Sequence, residues 1–240
     1  MDTTVRFPGE SAEYRAARDG LTEAEIELTR RIEEVAALRR ALPPGGVVPE
    51  DYAFTEGPAD LAADEPTGPV RLSALFGDHD RLLLYSFMYG PDMARPCPMC
   101  TSVLDGLDGA AADVAQLAGF AVVAKSPIGR LRAFARERGW ANLRLLSSAG
   151  TCYNRDYHGE DADGEQQSRM NVFTRDASGI RHFWASEQNV APPGQETRHV
   201  DAVWPLWNLL DLTPQGRGDW HPSFSPRQPT SPSAGAEAVS

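Results

Sequence analysis

At 240 residues the chain has room for one ordinary core with arms to spare, and its 41% apolar and 8% aromatic residues are those of a globular protein. A formal net charge of −11 excludes a general basic surface, so neither nucleic acid nor an anionic membrane is an expected partner. No apolar run approaches the roughly 20 residues of a membrane span. The opening MDTTVRFPGESAEYR also lacks the basic-then-apolar order of a secretory signal, which predicts a soluble, cytoplasmic protein.

Residues 1–10 read as a short arm. From Ser11 to Leu42 the pattern is helical, with a break expected at Asp19-Gly20 and a restart at Thr22, where Thr22-Glu23-Ala24-Glu25 has the form of a capping box. Leu28, Ile32, Val35 and Leu42 share one face, which either packs against its own domain or forms a homodimer contact. Pro43-Pro44-Gly45-Gly46 ends this N-terminal extension, residues 1–46. Residues 47–69 are rich in Pro, Gly and acid and read as a connector on the domain surface. Tyr52 and Phe54 alternate within it as in a short strand or a tether. The main domain is expected over 70–212, beginning with a short strand and turn at Val70–Phe76 and a solvated turn at His79.

A buried strand is predicted over Leu82–Tyr89, then a Gly-Pro loop, then a helix starting at or just before Cys100. Val103, Leu104, Leu107, Ala111, Val114 and Leu117 give that helix one apolar face. Gly106 and Gly109 weaken it by up to about 1 kcal/mol each, and offer a close approach of helix to sheet. Phe120–Ala124 reads as a strand buried on both faces. A second helix opens at Ser126-Pro127, buries Ile128, Leu131, Phe134 and Ala135, and closes at Arg138-Gly139 before a strand at Leu143–Leu146. Strand, helix, strand, helix, strand is the pattern of parallel strands joined by right-handed crossovers. Met170–Arg175 and Ile180–Ala185, around Asp176-Ala177-Ser178-Gly179, read as a hairpin. A last helix, Thr197–Leu210, carries Val200, Val203, Trp204, Trp207 and Leu210 on one face, with Pro205 marking a kink or an early first turn. Residues 213–240 form a Pro, Ser and Gly rich tail, expected to have little fixed structure after about Pro222.

The chemistry concentrates at Cys97-Pro98-Met99-Cys100. The first N–H groups of a helix have no partner within it, and the peptide dipoles leave about half a positive charge there, so a thiolate at that point is favoured over a thiol. Cys97 sits where this field acts, and Pro98 suits the first helical position because its missing N–H would be unpaired in any case. Three cysteines are too few for a disulfide framework, and in a reducing compartment a close pair is catalytic or metal-binding.

Ala16-Ala17-Arg18, Glu33-Glu34 through Pro43, Tyr52-Ala53-Phe54, Tyr89-Gly90-Pro91-Asp92, Cys97–Thr101, Asp105–Gly109 and Thr213–Arg217 together resemble a family of uncharacterised bacterial thioredoxin-like proteins described as predicted dithiol-disulfide oxidoreductases. The resemblance runs from about Ser11 to Gly218. It implies an α/β thioredoxin-like fold, a central mixed sheet flanked by helices, with an N-terminal helical extension. It also implies catalytic roles for Cys97 and Cys100 alone, with no cofactor. The dithiol departs from thioredoxin in lacking a preceding tryptophan. Gln166–Met170, which corresponds to thioredoxin's cis-proline segment, contains no proline.

On the redox reading Cys97 attacks a disulfide or oxidised sulfur of a protein or small molecule, Cys100 completes the exchange, and an external reductant reopens the bridge. A metal site is the first alternative: Cys97, Cys100, Cys152 and His158 would make a Cys₃His set for zinc, or a thiolate-rich copper site with Met93 or Met99. The second is an interaction protein that keeps the fold without turnover. Cys152 follows a strand end and is either on the rim of the dithiol or an inert small side chain. Arg95 either favours the thiolate or is simply exposed, and His158, His182, His199 and His221 are scattered structural or solvated residues.

Overall fold

The computed structural model describes residues 6–63, 68–186 and 200–224. The chain divides into two units, Met1–Gly46 and Val47–Ser240. The first is one helix, α1 (Ala12–Arg40), whose start is capped by Ser11 Oγ accepting from Tyr14 N at 3.0 Å. Arg39 and Arg40 in the last turn suit the dipole. The break expected at Asp19-Gly20 does not occur. Thr22 donates its hydroxyl back to Arg18 O at 2.9 Å, the bond of a threonine inside a helix rather than at its cap. One interior glycine costs about 1 kcal/mol, which a helix with (i, i+3) and (i, i+4) pairs such as Arg31–Glu34 and Arg15–Asp19 tolerates. Leu28, Ile32, Val35 and Leu42 are exposed among the described residues.

The second unit is built on a seven-stranded sheet. Its elements are β1 (Ala53–Glu56), β2 (Gly68–Arg71), a 3-10 turn (Leu72–Phe76), β3 (Arg81–Ser86), α2 (Pro98–Val114), β4 (Gly119–Ala124), α3 (Ile128–Arg138), β5 (Leu145–Ser147), α4 (Tyr153–Asp156), β6 (Arg169–Asp176), β7 (Gly179–Ala185) and α5 (Leu206–Leu210). The strand order is β2-β1-β5-β4-β3-β6-β7. β3 runs parallel to β4, and β4 to β5, while every other pairing is antiparallel. Because β3, β4 and β5 succeed one another in a single direction, two right-handed crossovers place α2 and α3 on the same face.

β3 shows how sequence alternation becomes two cores. Tyr85, and Phe87 just beyond the strand, point to one face and pack with Cys100, Val103 and Leu104 of α2, Leu131 and Phe134 of α3, and Trp207. Leu82 and Leu84 point to the other and meet Phe54, Phe76, Tyr153 and Phe173. Each such fully buried large side chain contributes about 2–3 kcal/mol relative to exposure.

The stretch read as a surface connector contributes β1, where the alternation of Tyr52 and Phe54 is that of a strand and not of a tether, and the first half of β2, whose second half with the 3-10 turn is the strand and turn expected at Val70–Phe76. Tyr52 and Phe54 are 2% and 0% exposed, and β1 joins the sheet along β5 with Thr55 opposite Ser147. Three short segments paired through a shared core defeat a composition argument. The expected close approach at Gly106 and Gly109 is also absent, because a Cβ on either would meet nothing within 4 Å. It is Gly119 that lies tight: a Cβ there would stand 2.4 Å from Leu75 O. His79 is half-buried and held through Nε2 to Ala115 O at 3.0 Å, tying its turn to the end of α2. The last helix is shorter than expected, with Pro205 as its N-cap and Val200–Val203 forming a separate turn closed by Val203 N to Val200 O. A proline cannot donate into a preceding helical turn, so the two cannot merge through it. Residues 197–199 lie outside the described residues. The first part of the expected tail is packed, with Arg217 over Trp207 and Phe224 against Phe134. The remainder, beyond 224, is outside the described residues.

Candidate active site

The dithiol stands past the carboxyl end of β3, the parallel strand that borders antiparallel β6. β3 ends at Ser86, earlier than the expected Tyr89, because the chain must leave the sheet to reach the start of α2. Phe87 still bonds to Val123 O at 2.8 Å, and Tyr89 N turns back onto Phe87 O at 2.7 Å. The loop between is held at several points. Ser126 N donates to Tyr89 O at 2.8 Å, Cys97 N donates to Met88 O at 3.0 Å, and Arg130 donates to Pro91 O at 2.6 Å and also to Met93 O. The Arg130 guanidinium also stacks 4.9 Å from the centre of the Tyr89 ring. Backbone pinned in this way presents the two sulfurs in one fixed arrangement.

Cys97 is the N-cap of α2 and Pro98 its first residue. Thr101 bonds back to Cys97 O through both its N–H, at 3.0 Å, and its hydroxyl, at 2.9 Å, which closes the first turn. All three cysteines are free thiols. Cys97 is half-buried at the edge of the core, against which Met88, Met93 and Met99 also pack, whereas Cys100 is only 3% exposed.

The two sulfurs are driven apart in acidity. The Cys97 thiol is lowered to about 6, first by the hydrogen bond from the Cys100 thiol and then, against an opposing effect of burial, by the N–H dipoles of Cys100 and Met99. The Cys100 thiol is pushed up by its bond to Cys97, by burial and by the negative charge of Cys97. At neutral pH the pair is therefore a thiolate at Cys97 and a thiol at Cys100 that donates to it.

Behind Cys100 lies a residue that the motif did not indicate. Tyr85, on β3 opposite Met170 of β6, is 3% exposed, and its hydroxyl oxygen is buried without a close hydrogen-bond partner. Burial pushes its phenol well up, and next in effect is the Cys100 thiol, followed by Cys97. The signal was in the sequence: Leu82-Leu83-Leu84-Tyr85 places a phenol after three leucines in the strand feeding the dithiol.

The other residues weighed do not gather here. Arg95 is engaged elsewhere, paired with Glu137 at 2.5 Å and stacked 4.6 Å over the Phe224 ring, and it is not among the groups acting on Cys97. Cys152 is exposed at the start of α4 beside Arg155 and acts on neither dithiol sulfur. Among the described residues no three His, Cys, Asp or Glu side chains converge as a metal would need, so Cys97, Cys100, Cys152 and His158 do not form the Cys₃His set. His182 belongs to the opposite face, with Nε2 on Asn171 Oδ1 at 3.0 Å and its ring against Tyr157 and Phe173. Burial lowers it, helped by the charges of His158 and Arg169. His158 has a positive φ of 53° and offers its carbonyl to Arg169, His221 meets the Trp207 ring edge to face, and His199 is outside the described residues. The proline-free segment does reach the site, since Ser168 faces the Tyr85 hydroxyl and Met170 packs in the same core as Cys100.

A mixed sheet with a helix starting at a dithiol just beyond one of its parallel strands defines a thioredoxin-like fold. The chain belongs to the family of bacterial proteins of unknown function designated DUF899, whose model matches residues 4–230. A search among curated proteins finds no match. Among solved structures the chain is similar to Plasmodium yoelii thioredoxin peroxidase I, with 16% identity, a TM-score of 0.46, and coverage of 75% of this chain and 100% of that one. It is also similar to the reduced 2-Cys peroxiredoxin of Plasmodium vivax, at 18%, 0.43, 66% and 96%, and to AhpC of Enterococcus faecalis, at 13%, 0.44, 66% and 90%. No helix among the described residues is long and apolar enough to cross a membrane.

Proposed function

We propose that the protein is a thiol-disulfide oxidoreductase with Cys97 as the attacking and Cys100 as the resolving sulfur. The observation that carries this reading is the split between the sulfurs: one half-exposed and held as a thiolate at a helix start, the other buried and held as a thiol against it.

The exchange proceeds in two displacements. The Cys97 thiolate attacks one sulfur of a substrate disulfide, R–S–S–R′, forming Cys97–S–S–R and releasing R′–S⁻, which takes a proton from solvent. Cys100 then loses its proton and attacks the Cys97 sulfur, so that R leaves as a thiol and the Cys97–Cys100 bridge closes. The substrate gains two electrons and becomes two thiols, and the protein loses two. A dithiol reductant returns them by the same chemistry in reverse. Met88, Met93 and Met99, half-buried in the same segment of chain as Cys97, offer adaptable apolar side chains to the incoming disulfide.

The test is turnover with a dithiol reductant and either insulin or a small aromatic disulfide. Cys97→Ser is expected to abolish reduction of both, and Cys100→Ser to accumulate a covalent mixed disulfide on Cys97. Unchanged turnover in the Cys97→Ser protein overturns the assignment.

A further inference from the structure

Attack by Cys97 leaves an unsolved step. In the resting protein the Cys100 thiol is stabilised by giving its proton to the Cys97 thiolate in a hydrogen bond. Once Cys97 carries the substrate sulfur that charge is gone, and Cys100 must ionise inside the core, 3% exposed, where burial opposes charge. A donor to its sulfur is needed at that moment.

We propose that the Tyr85 hydroxyl is that donor: it holds the nascent Cys100 thiolate while Cys100 displaces the substrate from Cys97. This rests on the oxidoreductase reading above. The geometry is specific. Tyr85 projects from β3 onto the face that carries α2, it shares a core with Cys100, and its hydroxyl oxygen is sealed from solvent without a close partner. The groups acting most strongly on that hydroxyl are Cys100, then Cys97, with Ser168 approaching from the segment before β6. On Cys100 they are Cys97, Tyr85 and the Met88 backbone N–H. A buried hydroxyl without a partner lowers the stability of the resting fold. Aimed at a sulfur that becomes anionic only during the reaction, it makes its bond when that charge appears.

Tyr85 is a donor and not a base, because burial keeps its phenol protonated. The balance is therefore simple. Cys100 gives up its proton to solvent, its thiolate attacks the Cys97 sulfur, the S–S bond from Cys97 to the substrate breaks as the Cys97–Cys100 bond forms, the departing thiolate takes a proton back from solvent, and Tyr85 ends as it began. The O–H to S⁻ bond exists only from the deprotonation of Cys100 until the bridge closes.

The experiment uses the full chain carrying Cys152→Ser and the reagent 5,5′-dithiobis(2-nitrobenzoate), which separates the two displacements. Attack by Cys97 releases one thionitrobenzoate, and closure by Cys100 releases the second. Tyr85→Phe is expected to leave the first phase within about twofold and to slow the second by about tenfold or more, as loss of a hydrogen bond to a charged acceptor does. The pH profile of the second phase is expected to move upward by about one pH unit. Replacing Tyr85 with 3-fluorotyrosine, a stronger donor of nearly the same shape, is expected to speed the second phase, which a packing role would not do. An unchanged second phase and pH profile in both variants overturns the role of Tyr85 alone. A parent protein that releases no second thionitrobenzoate overturns the oxidoreductase reading and this role with it.

Discussion

Removing the Cys100 thiol tests the electrostatics of the site most directly, because that thiol is the first cause of the acidity of Cys97. With a pKa of about 6, Cys97 is roughly nine-tenths ionised at pH 7, whereas a cysteine at about 8.5 is roughly 3% ionised, a ratio of about 30. A more acidic thiolate is also a weaker nucleophile. With a Brønsted slope of about 0.45 the intrinsic rate falls about 13-fold over that interval, so the net advantage at pH 7 is only about twofold. At pH 5.5 the ionised fractions are about 0.24 and 0.001, and the net advantage is about 20-fold. The comparison therefore belongs at low pH, with dithiodipyridine as the reagent and Cys152→Ser as the background, since Cys152 is exposed. As thiolate is the reactive form, a lowered pKa moves the rise in rate to lower pH. The expected midpoint is near 6, moving upward when Cys100→Ala is added, with a loss of about tenfold at pH 5.5. A midpoint near 8.5 in the background protein refutes the thiolate. A midpoint that stays near 6 after Cys100→Ala refutes the thiol-to-thiolate bond as its cause.

Arg95→Ala is expected to leave that profile unmoved, because Arg95 is held by Glu137 and Phe224; a shift measured in the same assay would return Arg95 to the site. Asp105 accepts from Arg138 and, at 2.9 Å, from Trp140 Nε1, so Asp105→Ala strands two part-buried donors and is expected to lower stability by about 2–4 kcal/mol in urea titration. Gly119→Ala places a methyl against Leu75 O, and a drop of about 1–3 kcal/mol, read as a lower melting temperature, is the expected result. Phe54→Ala should cost about 3–5 kcal/mol by the same measurement if β1 belongs to the core, and close to nothing if residues 47–69 merely lie on the surface.

The parallel half of the fold was legible because its signals are local and mutually consistent. Pro98 and Pro127 mark two helix starts, Gly139 in a left-handed turn ends the second, and the apolar runs of β3 and β4 suit only buried strands. β1 and β2 were legible only as short strand-like stretches at Tyr52–Phe54 and Val70–Phe76, and their place in the central sheet was not. Each has four residues, and their strand character depends on pairing with one another and, across about ninety residues of chain, on β5. The break placed at Gly20 failed for the converse reason. A glycine and a threonine were given full weight as punctuation, where α1 absorbs the glycine and turns the threonine hydroxyl onto Arg18 O.

At the site the sequence conveyed chemistry and withheld environment. Two cysteines separated by two residues at a helix start announce a reactive thiol without stating which sulfur is buried. That follows from the position of α2 against β3, which turns Cys100 into the core and leaves Cys97 at its edge. Arg95 lies two residues before Cys97 in the chain and yet contributes nothing to it, because Glu137 and Phe224 take up its charge and its plane. Tyr85 lies twelve residues before Cys97 and is nonetheless among the groups acting on Cys100. Proximity along the chain ranks these two residues one way and the packed sheet ranks them the other. A buried sulfur responds to the groups that share its desolvated space, so the second ranking is the one that governs how the dithiol reacts.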